Sequence, residues 1–114
     1  HTRYSEAVWL RESTIENKLK KAVESVGGLC PKWVSPGRRG VPDRICIFPD
    51  GVIVFAEVKK PGGRLHPLQK KYIGLLEERG HHVIVVDSDE KIQEVIDLWN
   101  SSRINTKNLP FKKS

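Results

Sequence analysis

Gly40-Val41-Pro42-Asp43-Arg44-Ile45-Cys46-Ile47-Phe48 and Val52-Ile53-Val54-Phe55-Ala56-Glu57-Val58-Lys59 are two apolar, β-branched runs on either side of Pro49-Asp50-Gly51. Strand-forming runs about a short turn signal predict a β-hairpin. In an antiparallel pair the start of one strand lies beside the end of the other, so Asp43 is expected next to Glu57. Residues two apart on a strand share a face, so Glu57 and Lys59 point together and Val58 points away. Two carboxylates and an ammonium then converge at one edge of a small sheet. Convergent carboxylates repel unless a cation sits between them. A hard divalent ion such as Mg²⁺ suits such a pair, because it takes one or two carboxylates and fills its other positions with water and phosphate. Lys59 beside it could orient or deprotonate a water, or stabilise charge on a phosphate. Glu-x-Lys by itself is common on exposed strand ends; the upstream Pro-Asp at hairpin distance is what lifts the pattern above that.

The rest of the chain sets limits on this centre. With 114 residues it is long enough for one core and short of two. A net charge of +6 points toward a polyanionic partner, though charge alone supports only non-specific attraction to nucleic acid or an acidic surface. No apolar run approaches the ~20 residues of a membrane span, and no secretory pattern is seen. Cys30 and Cys46 are too few and too irregular for a disulfide framework or a zinc site. Cys46 is expected to pack as a small buried residue, and the reduced interior of a cell is the default location.

Residues 1–12 read as an N-terminal arm, helical or extended, and residues 13–100 as the domain. A helix is expected from Ser13 or Thr14, acting as cap with Glu16 in a capping box, to Gly27-Gly28. Its apolar stripe is Ile15, Leu19, Ala22, Val23 and Val26. Glu16 either serves the helix dipole or faces the cleft and holds a water beside the metal, or a second ion. Leu29–Val34 reads as a short strand with Trp33 packed or on the nucleic-acid face. The loop Ser35-Pro36-Gly37-Arg38-Arg39-Gly40 carries two arginines suited to gripping a phosphate backbone. Arg44, Lys60, Arg64 and Lys70 are the other cations expected to contact nucleic acid. Pro67 opens a helix over 67–79 with the stripe Leu68, Tyr72, Leu75 and Leu76. Its first turn places Gln69 toward the end of the Glu57 strand. His81-His82 read as a helix–strand connection. The buried run Val83–Val86 suggests a strand added in parallel. A last helix is expected from Asp89 to Trp99, and 101–114 as a flexible basic tail.

The order helix, strand, hairpin with Asp and Glu-x-Lys, helix, strand, helix resembles the PD-(D/E)xK nuclease fold, and more narrowly its VRR-NUC family. The match is carried by Glu16, Arg39-Gly40-Val41-Pro42-Asp43-Arg44, Glu57-Val58-Lys59 and Pro67-Leu68-Gln69, and covers residues 13–99. It implies an α/β, restriction-endonuclease-like core with a small mixed sheet flanked by helices. It also implies Asp43, Glu57 and the Val58 carbonyl as ligands of Mg²⁺ or Mn²⁺, Lys59 as the catalytic lysine, and Glu16 and Gln69 as supporting residues. The short stand-alone members of the family are linked to homodimers that cut branched DNA such as four-way (Holliday) junctions, in the cytoplasm of a bacterial or phage-infected cell. Trp9 and Trp99 are apolar residues that could serve such a dimer. Two other readings stay open: a nicking, flap or restriction-type nuclease with the same chemistry, and a non-catalytic nucleic-acid-binding module. No element is conspicuously built to read bases in the major groove, which weakens the restriction-type reading.

Overall fold

The computed structural model describes the backbone of residues 2–107 and the side chains of residues 12–103. The elements are helix α1 (Thr2–Ser25), strands β1 (Arg44–Ile47) and β2 (Ile53–Val58), helix α2 (Pro67–Glu78), strand β3 (His82–Val86) and helix α3 (Asp89–Lys107). The sheet order is β1-β2-β3. The hairpin register is Arg44↔Ala56 through Ile47↔Ile53, and β3 joins β2 in parallel with Val54↔His82 through Val58↔Val86. Both pairings follow the sequence expectation. Phe48 N–H donates to Val52 O at 2.8 Å to close the hairpin. Between them Pro49–Gly51 form a 3₁₀ turn, with Asp50 and Gly51 at φ +69° and +77°.

Strand alternation divides the sheet into two faces. Cys46 and Phe48 from the hairpin's first run join Val54, Ala56, Val58 and Val86 in the core. Ile15, Leu19 and Val23 of α1 and Ile92, Val95 and Trp99 of α3 cover them, at the helical spacing of an amphipathic stripe. Residues of the other parity take the α2 side, where Phe55 meets Trp33 at 5.3 Å and Trp33 meets Tyr72 of α2 at 5.6 Å between ring centroids. Cys30 and Cys46 are both buried free thiols with their Sγ atoms 3.9 Å apart.

Several boundaries differ from the sequence reading. Ser13 and Thr14 are not a helix cap, because α1 runs through them from Thr2; the short polar side chains that favour caps are tolerated inside a helix whose buried stripe supplies the stability. The segment Leu29–Val34 is not a strand but a pair of isolated bridges, Leu29↔Ile47 and Lys32↔Arg44. Pro31 accepts from Ile45 N–H at 3.0 Å but has no N–H to return, which breaks the ladder there. α3 continues to Lys107 past the expected end at Trp99, and residues 108–114 of the tail lie outside the described residues. Trp99 is not available for a partner: it stacks on Phe48 at 5.4 Å and donates its indole N–H to Pro49 O at 3.2 Å. The Trp9 side chain lies outside the described residues. No helix among the described residues is long and apolar enough to cross a membrane.

The Arg38-Arg39 loop is locked to α2 at Gly40. Its φ is +91°, and a Cβ there would lie 2.4 Å from Leu68 O. Left-handed backbone and a close backbone neighbour together admit only glycine. Gly40→Ala is therefore expected to cost at least ~2 kcal/mol, read as a lower urea midpoint with unchanged slope. A midpoint equal to that of the unsubstituted chain would show that the loop is free of the helix.

Candidate active site

Register alone sets Asp43 opposite Glu57, one position beyond the Arg44↔Ala56 pair. The Asp43 backbone is fixed by Trp33 N–H, which donates to its carbonyl at 3.0 Å. Its side chain is fixed by Val58 N–H, which donates to Oδ2 at 2.8 Å. That bond lays the Asp43 carboxylate along the Glu57–Val58 peptide. Lys59 N–H donates to Val86 O at 3.0 Å, so the parallel strand β3 sets the backbone of the lysine. Gln69 enters from the first turn of α2: its Nε2 donates to Glu57 Oε2 at 2.9 Å, while its Oε1 accepts from His66 N–H at 2.8 Å. One amide thus caps a helix and orients a carboxylate.

Glu57 is 1% exposed, and its Oε1 is buried with no hydrogen-bond partner. Burial, then the Asp43 charge and hydrogen bond, push its carboxyl up to about 8; Lys59 opposes the shift and Glu12 adds to it. An unpartnered buried carboxylate oxygen is costly and fits a cation. Among the described residues no three or more His, Cys, Asp or Glu side chains gather into a metal cage. Two carboxylates and a backbone carbonyl are the donor set that suits Mg²⁺ or Mn²⁺, which keeps waters and takes phosphate oxygens. Asp43, Glu57 and the Val58 carbonyl could hold such an ion.

The raised Glu57 sets the sign of a pH effect. The folded chain keeps this proton between the ordinary value of 4.5 and about 8, where the unfolded chain has released it. That contribution is complete at the acid end and is lost as the pH rises through 8. Glu57→Gln removes the loss, so without metal the melting curves of variant and wild type should separate by roughly 4 °C or more, the variant higher, between about pH 5 and about pH 9. A separation that does not change with pH would contradict the buried carboxyl.

Two residues expected at this centre are engaged elsewhere. Arg44, expected on nucleic acid, is 8% exposed and donates from Nε to Glu16 Oε2 at 2.8 Å and from Nη1 to Cys30 O at 2.7 Å. Glu16, expected near the metal, is therefore the partner of a buried arginine. Strand parity is the reason: Arg44 alternates with Asp43 and points to the α1 side. The helix carboxylate whose charge reaches Glu57 is Glu12, one turn earlier. The reading from sequence missed it. Glu12 and Glu16 are four apart and share a helix face, which was the available signal. Arg38 and Arg39 are exposed on the loop, Arg38 lying 5.7 Å over the Tyr72 ring. Lys60, Arg64 and Lys70 line the connection from β2 into α2, Lys60 half-buried and the other two exposed.

The chain is similar to known proteins over most of its length. Residues 4–90 match the model of the VRR-NUC domain. A protein of Acyrthosiphon pisum secondary endosymbiont phage 1 named "Putative nuclease p44" is 47% identical over 81 residues, which are 71% of this chain and 87% of that protein. A solved structure of a VRR-NUC domain superposes with a TM-score of 0.72 at 33% identity, covering 76% of this chain and 95% of that one. The α/β arrangement is thus the restriction-endonuclease-like core, a small mixed sheet flanked by helices, and the chain belongs to the VRR-NUC family.

Proposed function

We propose that this chain is a metal-dependent endonuclease that hydrolyses DNA phosphodiester bonds, acting as a homodimer on branched DNA such as four-way junctions. The observation that carries the reading is the buried, unpartnered Glu57 Oε1 held beside Asp43 and Lys59 in a nuclease-family domain. Asp43, Glu57 and the Val58 carbonyl would hold Mg²⁺ or Mn²⁺, with Glu12 the helix carboxylate whose charge adds to theirs. The bound ion supplies Lewis-acid polarisation of the phosphate and a lowered pKa for water. Gln69 keeps the Glu57 carboxylate in one orientation. Lys59 orients the attacking water in line with the scissile bond, and its ammonium balances the negative charge that develops as that water gives its proton to solvent. Arg38, Arg39, Lys60, Arg64 and Lys70 neutralise the flanking phosphates, which positions the strand without reading its bases. A net charge of +6 supports that grip. A two-fold homodimer matches the need for symmetric cuts on two strands of a junction.

The substrate is tested with end-labelled four-way junction, flap, duplex and single strand of matched sequence. Paired, symmetric cuts in the junction, well ahead of the other three, are expected. Equal rates on duplex and junction would overturn the branch selectivity, and a flap cut in preference would move the reading to a flap nuclease.

A further inference from the structure

In sequence α2 carries an apolar stripe of Leu68, Tyr72, Leu75 and Leu76, yet none of its residues is buried and Leu68 is 49% exposed. What that face lines is a cavity of about 390 Å³ walled by Leu68, Tyr72 and Leu75 and rimmed by Arg38, Arg39 and Lys71. A second cavity of about 430 Å³ shares Arg39 and Leu68 with it and reaches Gln69, the residue bonded to Glu57. The two are neighbours across Arg39 and Leu68, and together they make a grooved surface that runs from the loop to Gln69, whose amide is bonded to Glu57. It is preformed, because Gly40 packs its backbone against Leu68 and Trp33 backs Tyr72.

We infer that this groove is a subsite for an unpaired nucleotide next to the scissile phosphate: the base packs on Leu68, Tyr72 and Leu75, and its phosphate lies against Arg39 and Lys71. The inference rests on the nuclease reading above for the strand's path to the carboxylates. The mixed lining decides the occupant. A paired duplex shows a protein its phosphates and groove edges, and gives an apolar wall nothing to bury. An unpaired base has an apolar face that packs on aromatic and aliphatic side chains while its phosphate meets the cations. A second copy of the chain is a poorer match, since a two-fold contact here would set the same cations against each other. A flap or an end supplies unpaired nucleotides, and a four-way junction supplies them where the pairs at its branch point open, so the subsite gives the enzyme a physical means of telling these from continuous duplex.

The test uses the full chain in EDTA, so cleavage does not enter the readout. DNA duplexes carry 2-aminopurine either inside the paired region or in a short unpaired overhang. Binding is expected to quench the unstacked overhang fluorophore and leave the already dim paired one unchanged. Leu68→Ser and Tyr72→Ala should each lower the preference for overhang over fully paired DNA about tenfold. Leu68 is half in solvent, so its variant keeps the fold even where Tyr72→Ala disturbs it. Equal quenching at both positions, or equal losses on both DNAs in Leu68→Ser, would overturn the subsite. So would intact quenching in Leu68→Ser combined with a shift from dimer to monomer in sedimentation, which assigns the face to a second copy. Metal-dependent cleavage by the wild type is measured separately: its absence would sink the nuclease reading, while the binding result still decides the subsite.

Discussion

Lys59→Ala is expected to lower DNA cleavage by about 10³-fold while changing DNA affinity by less than about threefold. The lysine leaves β2 next to Glu57, and its charge is felt there, opposing the upward push on that carboxyl. Its backbone is held by β3 through Val86 O at 3.0 Å, so removing the side chain leaves the strand end in place. The lost interaction is one that grows as the water loses its proton, and its removal falls on the chemical step and not on binding. The check is single-turnover cleavage alongside an anisotropy titration of the same labelled DNA. A folded variant that has lost affinity and cleavage in proportion would make Lys59 a phosphate anchor and contradict its assigned role.

Arg44→Ala is expected to destabilise the fold by about 3–5 kcal/mol, because it leaves Glu16 and the Cys30 carbonyl without their charged partner at the α1 side of the sheet. Denaturant unfolding measures this directly. Replacing both members of the pair with apolar residues of similar volume, Arg44→Met with Glu16→Leu, should recover most of the loss. An Arg44→Ala protein of normal stability with weakened DNA binding would restore the arginine to the nucleic-acid face.

The hairpin made the centre legible. Once a short turn is placed at Pro49–Gly51, register leaves Asp43 no neighbour but Glu57, and alternation then assigns Lys59 to the same face. The stripes of α1 and α3 were legible for the same reason, since a 3.6-residue period fixes which side is apolar. Glu12 and Glu16 were not separable in this way. They share a helix face, and what distinguishes them is which one meets Arg44 and which one's charge reaches Glu57, both tertiary facts. The start of α1 was hidden because Ser13-Thr14 carry a cap signal that a longer helix overrides. The open face of α2 was hidden too: a stripe of Leu68, Tyr72 and Leu75 reads the same whether it lines a core or a groove.

The measurement that tests the account most directly is cleavage of one labelled four-way junction by the wild-type chain in Mg²⁺, in Mn²⁺ and in EDTA, followed by return of Mg²⁺ to the EDTA sample. Cuts in both metals, none in EDTA, and full recovery on return of the ion are predicted from the Asp43–Glu57 pair. Cleavage that continues undiminished in EDTA would contradict it, because the buried Glu57 carboxylate would then have no cation to serve.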